Sequence, residues 1–141
     1  MGSICEIYII DDDSMLSNSL KFMFQTLKLE ARAFPSGDAF IQALPSLEPG
    51  CVILDVNMPG RDGFRVQKEM LERGFDWPVI FMTGHPEVPK IVRAVKLGAV
   101  ECIIKPFQDE ELLAALHEGF RHLRQAPPPK RPGAGAALPL L

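Results

Sequence analysis

Short, largely apolar runs alternate with amphipathic stretches along this chain, and two of those runs end in acid; no other feature constrains the fold as strongly. Ile4 to Ile10 leads into Asp11-Asp12-Asp13, and Cys51-Val52-Ile53-Leu54 leads into Asp55. Apolar runs of this length suit strands covered on both faces, and an acid just past such a strand sits where a loop begins. Two strands of this kind can bring their carboxylates together as a divalent-cation site with a nucleophile in it.

The intervening segments carry helical spacing. Ser14 to Leu29 places Leu16, Leu20, Phe24 and Leu27 on one side, with Asp13 or Ser14 as its cap. Glu30 to Phe34 reads as a short, less apolar strand, and Pro35-Ser36-Gly37-Asp38 opens a second helix that Pro45 and Pro49-Gly50 close. Cys51 to Asp55 is a third strand, Phe64 to Arg73 a third helix stopped by Gly74, and Pro78 to Thr83 a fourth strand. Glu87 to Leu97, Glu101 to Lys105 and Gln108 to Arg124 complete the series as helix, strand and helix. Five β-α units in alternation imply a doubly wound α/β fold: a parallel sheet with right-handed crossovers and helices on both faces. Sites in such sheets lie beyond the carboxyl ends of the strands, where Asp11, Asp12, Asp55, Thr83 and Lys105 fall.

Residues 1–124 are expected to form one domain. Residues 125–141, dense in proline, glycine and alanine, read as a linker or tail. The formal net charge of −3 argues against an intrinsic nucleic-acid footprint, which needs a basic face. No apolar stretch approaches the roughly 18 residues needed to span a bilayer, and the acids near the N-terminus do not suit a secretory signal, so a cytoplasmic location is expected. Cys5, Cys51 and Cys102 sit inside apolar runs without paired spacing, as small buried side chains rather than zinc ligands or disulfides.

The spacings then become specific: 43 residues from Asp12 to Asp55, 28 on to Thr83 and 22 on to Lys105. Together with Met58-Pro59, Gly63, Thr83-Gly84 and Lys105-Pro106-Phe107, these positions resemble the receiver domain of two-component response regulators over about Ile4 to Leu123. Thr83-Gly84-His85, Val88-Pro89, Gly98-Ala99-Val100 and Lys105-Pro106-Phe107 look most like FixJ/NarL-type receivers, whose partner module is a helix-turn-helix DNA-binding domain. The resemblance implies a flavodoxin-like five-stranded sheet in the order 2-1-3-4-5. It also implies that Asp55 accepts a phosphoryl group from a phosphohistidine on a sensor histidine kinase, with possible outcomes that include a phosphorylation-dependent homodimer.

A phosphoryl group and a cluster of aspartates repel one another, and a divalent cation reverses that. Magnesium suits oxygen ligands. Asp11, Asp12 and Asp55 supply carboxylates, and the resemblance adds the backbone carbonyl of Asn57; Mn2+ is an expected substitute. Lys105 and the Thr83 hydroxyl are then partners for phosphoryl oxygens. His85 is either a turn residue before Pro86 or, with the Asn57 side chain, a flank of the path of hydrolytic water. Taken singly, the acids could merely charge a helix N-terminus, Thr83 fill a strand and Lys105 face solvent.

One position departs from the family. Receivers usually carry an aromatic residue three places before the lysine, and here it is Cys102. A thiol cannot repeat the motion of a ring, so the signal is expected to pass through Thr83 and the loop from Gly84 to Pro89. The expected output face comprises the helix from Glu87, the strand around Cys102 and the final helix. Two other readings stay open: a haloacid-dehalogenase-type phosphohydrolase, which instead carries its D-x-D motif on the first strand, and a receiver fold that binds partners without being phosphorylated.

Overall fold

The computed structural model describes residues 6–85 and 99–125. The helix expected over Glu87 to Leu97, Cys5 and the tail beyond Gln125 lie outside them. Within the described residues the order is β1 (Glu6–Ile10), α1 (Ser14–Thr26), β2 (Ala31–Phe34), α2 (Gly37–Ala43), a 3-10 turn (Leu44–Ser46) and β3 (Gly50–Asp55). Then follow α3 (Gly63–Glu72), β4 (Val79–Thr83), β5 (Glu101–Ile104) and α4 (Asp109–Gln125). The strands pair in parallel as β2-β1-β3-β4-β5, the order the family resemblance implies.

Side-chain alternation along each strand sorts the core into two layers. Tyr8, Ile10, Val52, Leu54, Val79 and Phe81 face the side packed by Phe40 and Ile41 of α2 and Val66 and Met70 of α3. Ile7, Ile9, Ile53, Ile80 and Met82 face Leu20 and Phe24 of α1 and Leu112 and Leu116 of α4. Because both faces are covered, β3 and β4 are buried at every position, which is why they read as unbroken apolar runs. Burying each large aliphatic side chain in these layers contributes roughly 1.5–3 kcal/mol. An aromatic group closes the amino-terminal end of the first layer. The Tyr8 and Trp77 rings stack at 5.8 Å, Phe75 meets Trp77 edge-on, and the Tyr8 hydroxyl donates to the Glu48 carbonyl at 2.7 Å.

Each long-range turn has a local cause. Asp13, Ser36 and Asp62 cap α1, α2 and α3 by accepting backbone N–H groups of the first turn. Gly74 stops α3 with φ +88°, and the N–H of Phe75 returns to the carbonyl of Met70. The first helix ends earlier than its spacing predicts: it stops at Thr26, and Leu27, expected on the apolar side, is 47% exposed. Lys28 turns the chain with φ +61°, and Leu29 donates back to Phe24, which packs Leu29 under the sheet instead of continuing the helix. The expected closure of α2 also shifts: Pro45 enters the 3-10 turn, and Gly50 begins β3 opposite Glu6. Among the described residues no helix is long and apolar enough to cross a membrane.

Candidate functional site

Register brings the chemistry-bearing residues to one edge of the sheet. Ile10 pairs with Leu54, so Asp11 and Asp55 continue from adjacent strands, and Thr83 pairs with Ile104, the residue before Lys105. Backbone bonds extend the ladder past the strand ends. Asp11 N–H donates to Phe34, Val56 N–H to Met82, and Lys105 N–H to Thr83, at 3.2, 2.8 and 2.7 Å. Lys105 is followed by a cis peptide bond to Pro106.

Asp11, Asp12 and Asp55 each present a carboxylate oxygen within 4.8 Å of the others, with Asp11 and Asp55 buried and Asp12 exposed. Asp13 does not join them: its carboxylate caps α1, and its own N–H donates to Asp11 at 2.9 Å. Lys105 Nζ donates to Asp11 Oδ2 at 3.0 Å and lies 3.6 Å from Asp55 Oδ1. One ammonium thus meets two of the three clustered carboxylates. That excess of negative charge on hard oxygen donors, with an exposed member at the mouth, suits a divalent cation such as magnesium or manganese.

Burial is the largest influence on Asp55, and with the charge of Asp11 it raises the Asp55 pKa from 3.8 to about 6; Lys105 and the backbone N–H of Asn57 act in the opposite sense. For Lys105, burial opposes the charge, but the hydrogen bond to Asp11 and the carboxylates of Asp55 and Asp11 outweigh it and raise its pKa. Lys105 therefore keeps its proton and its charge, while Asp55 releases its proton only around pH 6.

Thr83 is buried at the end of β4. Its Oγ1 accepts from the His85 N–H at 3.1 Å and lies within donating distance of two oxygens, the His85 carbonyl at 3.0 Å and Asn57 Oδ1 at 3.2 Å. His85 thus meets Thr83 through its backbone. Asn57 lies exposed just beyond Asp55, so its side chain reaches Thr83 across the gap between β3 and β4. From sequence, that side chain is expected only beside the path of hydrolytic water. No local signal could have supplied this contact, because the two residues are 26 positions apart.

The loop after Asp55 is framed on both sides. A Cβ on Gly63 would stand 2.5 Å from the Asp55 carbonyl oxygen and 3.0 Å from Val56 Cα, so the start of α3 rests directly on the backbone of Asp55. Arg61 pairs with Asp38 of α2 and Glu69 of α3 at 3.3 and 3.4 Å. Cys102 stands opposite Phe81 and packs, half-buried, against the first core layer; burial and the neighbouring Glu101 raise its thiol pKa.

A family model described as the response regulator receiver domain matches residues 7–117. The transcriptional regulatory protein FixJ of Bradyrhizobium diazoefficiens is 42% identical over 120 residues, covering 85% of this chain and 58% of the relative. The response regulator protein TmoT of Ectopseudomonas mendocina is 39% identical over 115 residues, covering 82% and 52%. The chain therefore spans somewhat more than half the length of these relatives. Among solved structures, full-length FixJ from B. japonicum superposes with a TM-score of 0.81 at 40% identity, over 88% of this chain and 61% of that one. The structure titled FixJ-N does so with a TM-score of 0.79 at 30% identity, over 86% and 97%.

Proposed function

This chain belongs to the response regulator receiver domain family, and from that premise we propose that Asp55 accepts a phosphoryl group from a phosphohistidine on a sensor histidine kinase. The observation that carries the reading is the convergence of Asp11, Asp12 and Asp55 with Lys105 at a single sheet edge, beside Thr83. Asp11, Asp12 and Asp55, with the Asn57 carbonyl, would hold Mg2+, or Mn2+ in its place. The ion would neutralise charge on the incoming phosphoryl oxygens.

The remaining chemistry belongs to the chain. An ionised Asp55 oxygen attacks phosphorus in line; a P–O bond forms, the P–N bond to the donor imidazole breaks with its electron pair going to the ring nitrogen, and the ring, already protonated on its other nitrogen, leaves as neutral imidazole. Lys105 offers its ammonium to one phosphoryl oxygen, and Thr83 its hydroxyl proton to another. Stabilisation of charge on the transferring group is most of what a protein can add to this reaction. Water later hydrolyses the acyl phosphate, with Asn57 and His85 beside its path. The chain acts as a signalling module in the cytoplasm, catalysing only its own phosphorylation and dephosphorylation. Its output passes through Thr83 and the strand at Cys102, to a homodimer or to a DNA-binding module outside this chain; that the relatives extend well beyond the matched part, and that one is named a transcriptional regulatory protein, supports the latter.

Incubation with magnesium and a small phosphodonor, followed by intact mass, tests the reading. A single phosphoryl adduct that Asp55→Asn lacks supports it. Turnover of added phosphomonoester would support a hydrolase instead, and a folded protein with no adduct a phosphorylation-independent binding module.

A further inference from the structure

We propose that the Asn57 side chain is a positioning residue that restrains the Thr83 hydroxyl until Asp55 is phosphorylated. The proposal rests on the phosphoacceptor reading above and adds to it what sets the resting position of Thr83.

A threonine hydroxyl has one proton to give. Here Oγ1 has two acceptors within reach, the His85 carbonyl at 3.0 Å and Asn57 Oδ1 at 3.2 Å, while the His85 N–H donates to it at 3.1 Å. These partners differ in kind. His85 is two residues away on the same segment, so its bonds travel with Thr83 when that segment moves. Asn57 belongs to the loop after β3, and its bond ties the end of β4 to a different element. That loop is itself framed by the Arg61 pairs with Asp38 and Glu69 and by the contact of Gly63 with Asp55.

Burial strengthens the restraint. Thr83 is 3% exposed, so water does not readily take the place of a lost partner, whereas the exposed Asn57 is free to rotate into solvent once released. A phosphoryl oxygen on Asp55 would compete for the same single hydrogen-bond donor, and redirecting the hydroxyl to it would release Asn57. Cys102, with its small side chain, stands opposite Phe81 in β4, so no ring at that position holds Thr83 from behind. Among the described residues, the hydroxyl's hydrogen-bond partner from another element is the Asn57 amide.

Calorimetric titration with Mg2+ and beryllofluoride, a phosphoryl mimic, tests this in wild type, Asn57→Ala, Thr83→Val and the double variant. The alanine variant keeps the backbone carbonyl and N–H of residue 57. Loss of one restraining hydrogen bond should tighten beryllofluoride binding about fivefold, and the gain should vanish in the Thr83→Val background. In the metal-free protein, the Thr83 methyl resonance of Asn57→Ala should move toward its position in beryllofluoride-loaded wild type. Unchanged or weaker binding by Asn57→Ala, or an equal gain without the Thr83 hydroxyl, overturns the proposal. A folded wild type that does not bind beryllofluoride overturns the phosphoacceptor reading instead; displacement of the metal-free Thr83 methyl resonance by Asn57→Ala, in either direction, then still supports the Asn57–Thr83 restraint, and an unmoved resonance overturns it.

Discussion

Lys105 donates to Asp11 at 3.0 Å and stands farther, at 3.6 Å, from Asp55, so its charge is anchored on the proposed metal ligand and only leans toward the proposed nucleophile. The ammonium therefore competes with a cation for Asp11 before any phosphoryl group arrives. Replacing it in Lys105→Met should tighten Mg2+ binding about fivefold, from roughly 1 kcal/mol of charge repulsion removed. Phosphorylation by a small donor should slow about 100-fold or more, because one stabiliser of the transferring charge is gone. Calorimetry and intact mass read the two effects, and weaker Mg2+ binding by the variant would contradict the first.

The raised pKa of Asp55 predicts the pH dependence of stability. The folded protein holds this proton up to about 6 while the unfolded chain releases it near 3.8, so the folded state binds more protons between those values. Stability of the metal-free protein should fall as pH rises through that window and stay lower above it, by up to about 3 kcal/mol. Asp55→Asn, which never ionises, should be the more stable protein at neutral pH and match wild type below 3.8. Urea denaturation across the pH range measures the difference. Saturating Mg2+ should erase most of it, since the ion binds the charged form.

Gly63→Ala should be disruptive although no unusual φ is involved. The added methyl would meet the Asp55 carbonyl oxygen at 2.5 Å, and both neighbours are backbone that cannot rotate aside. Displacing α3 from β3 should destabilise the fold by about 2–3 kcal/mol, measurable by urea denaturation. Mg2+ affinity should fall as well, because the same movement shifts Asp55 and Asn57.

Lys28→Gly should do the reverse. Lys28 and Gly74 occupy the same place in equivalent helix ends, each with positive φ and each followed by a residue whose N–H returns to the helix, Leu29 to Phe24 and Phe75 to Met70. Only one of them is a glycine. Removing the strain of a Cβ in the left-handed region should stabilise the fold by about 1 kcal/mol, read as a shift in the urea midpoint with unchanged slope.

These two helix ends also show what can be read from sequence. Gly74 announces its turn because its residue type matches its conformation; Lys28 does not, so the spacing predicts α1 out to Leu29 although it ends at Thr26. The buried strands β3 and β4 were legible because both of their faces are covered, and Asp55 and Thr83 were legible because they end those runs. The strand order followed from family resemblance rather than from periodicity, which carries no information about neighbours. The Asn57–Thr83 contact was not legible, since it depends on how two loops fold back over the sheet edge.

The stacked pair at the other end of the molecule has an optical consequence. Tyr8 and Trp77 are the sole tyrosine and tryptophan of the chain, with ring centres 5.8 Å apart. Light absorbed by the phenol passes to the indole in the native state and is emitted as phenol fluorescence once the chain opens. Trp77 precedes β4 while Thr83 ends it, so this emission ratio follows integrity of the core without dye or label, from the end of that strand away from the carboxylates.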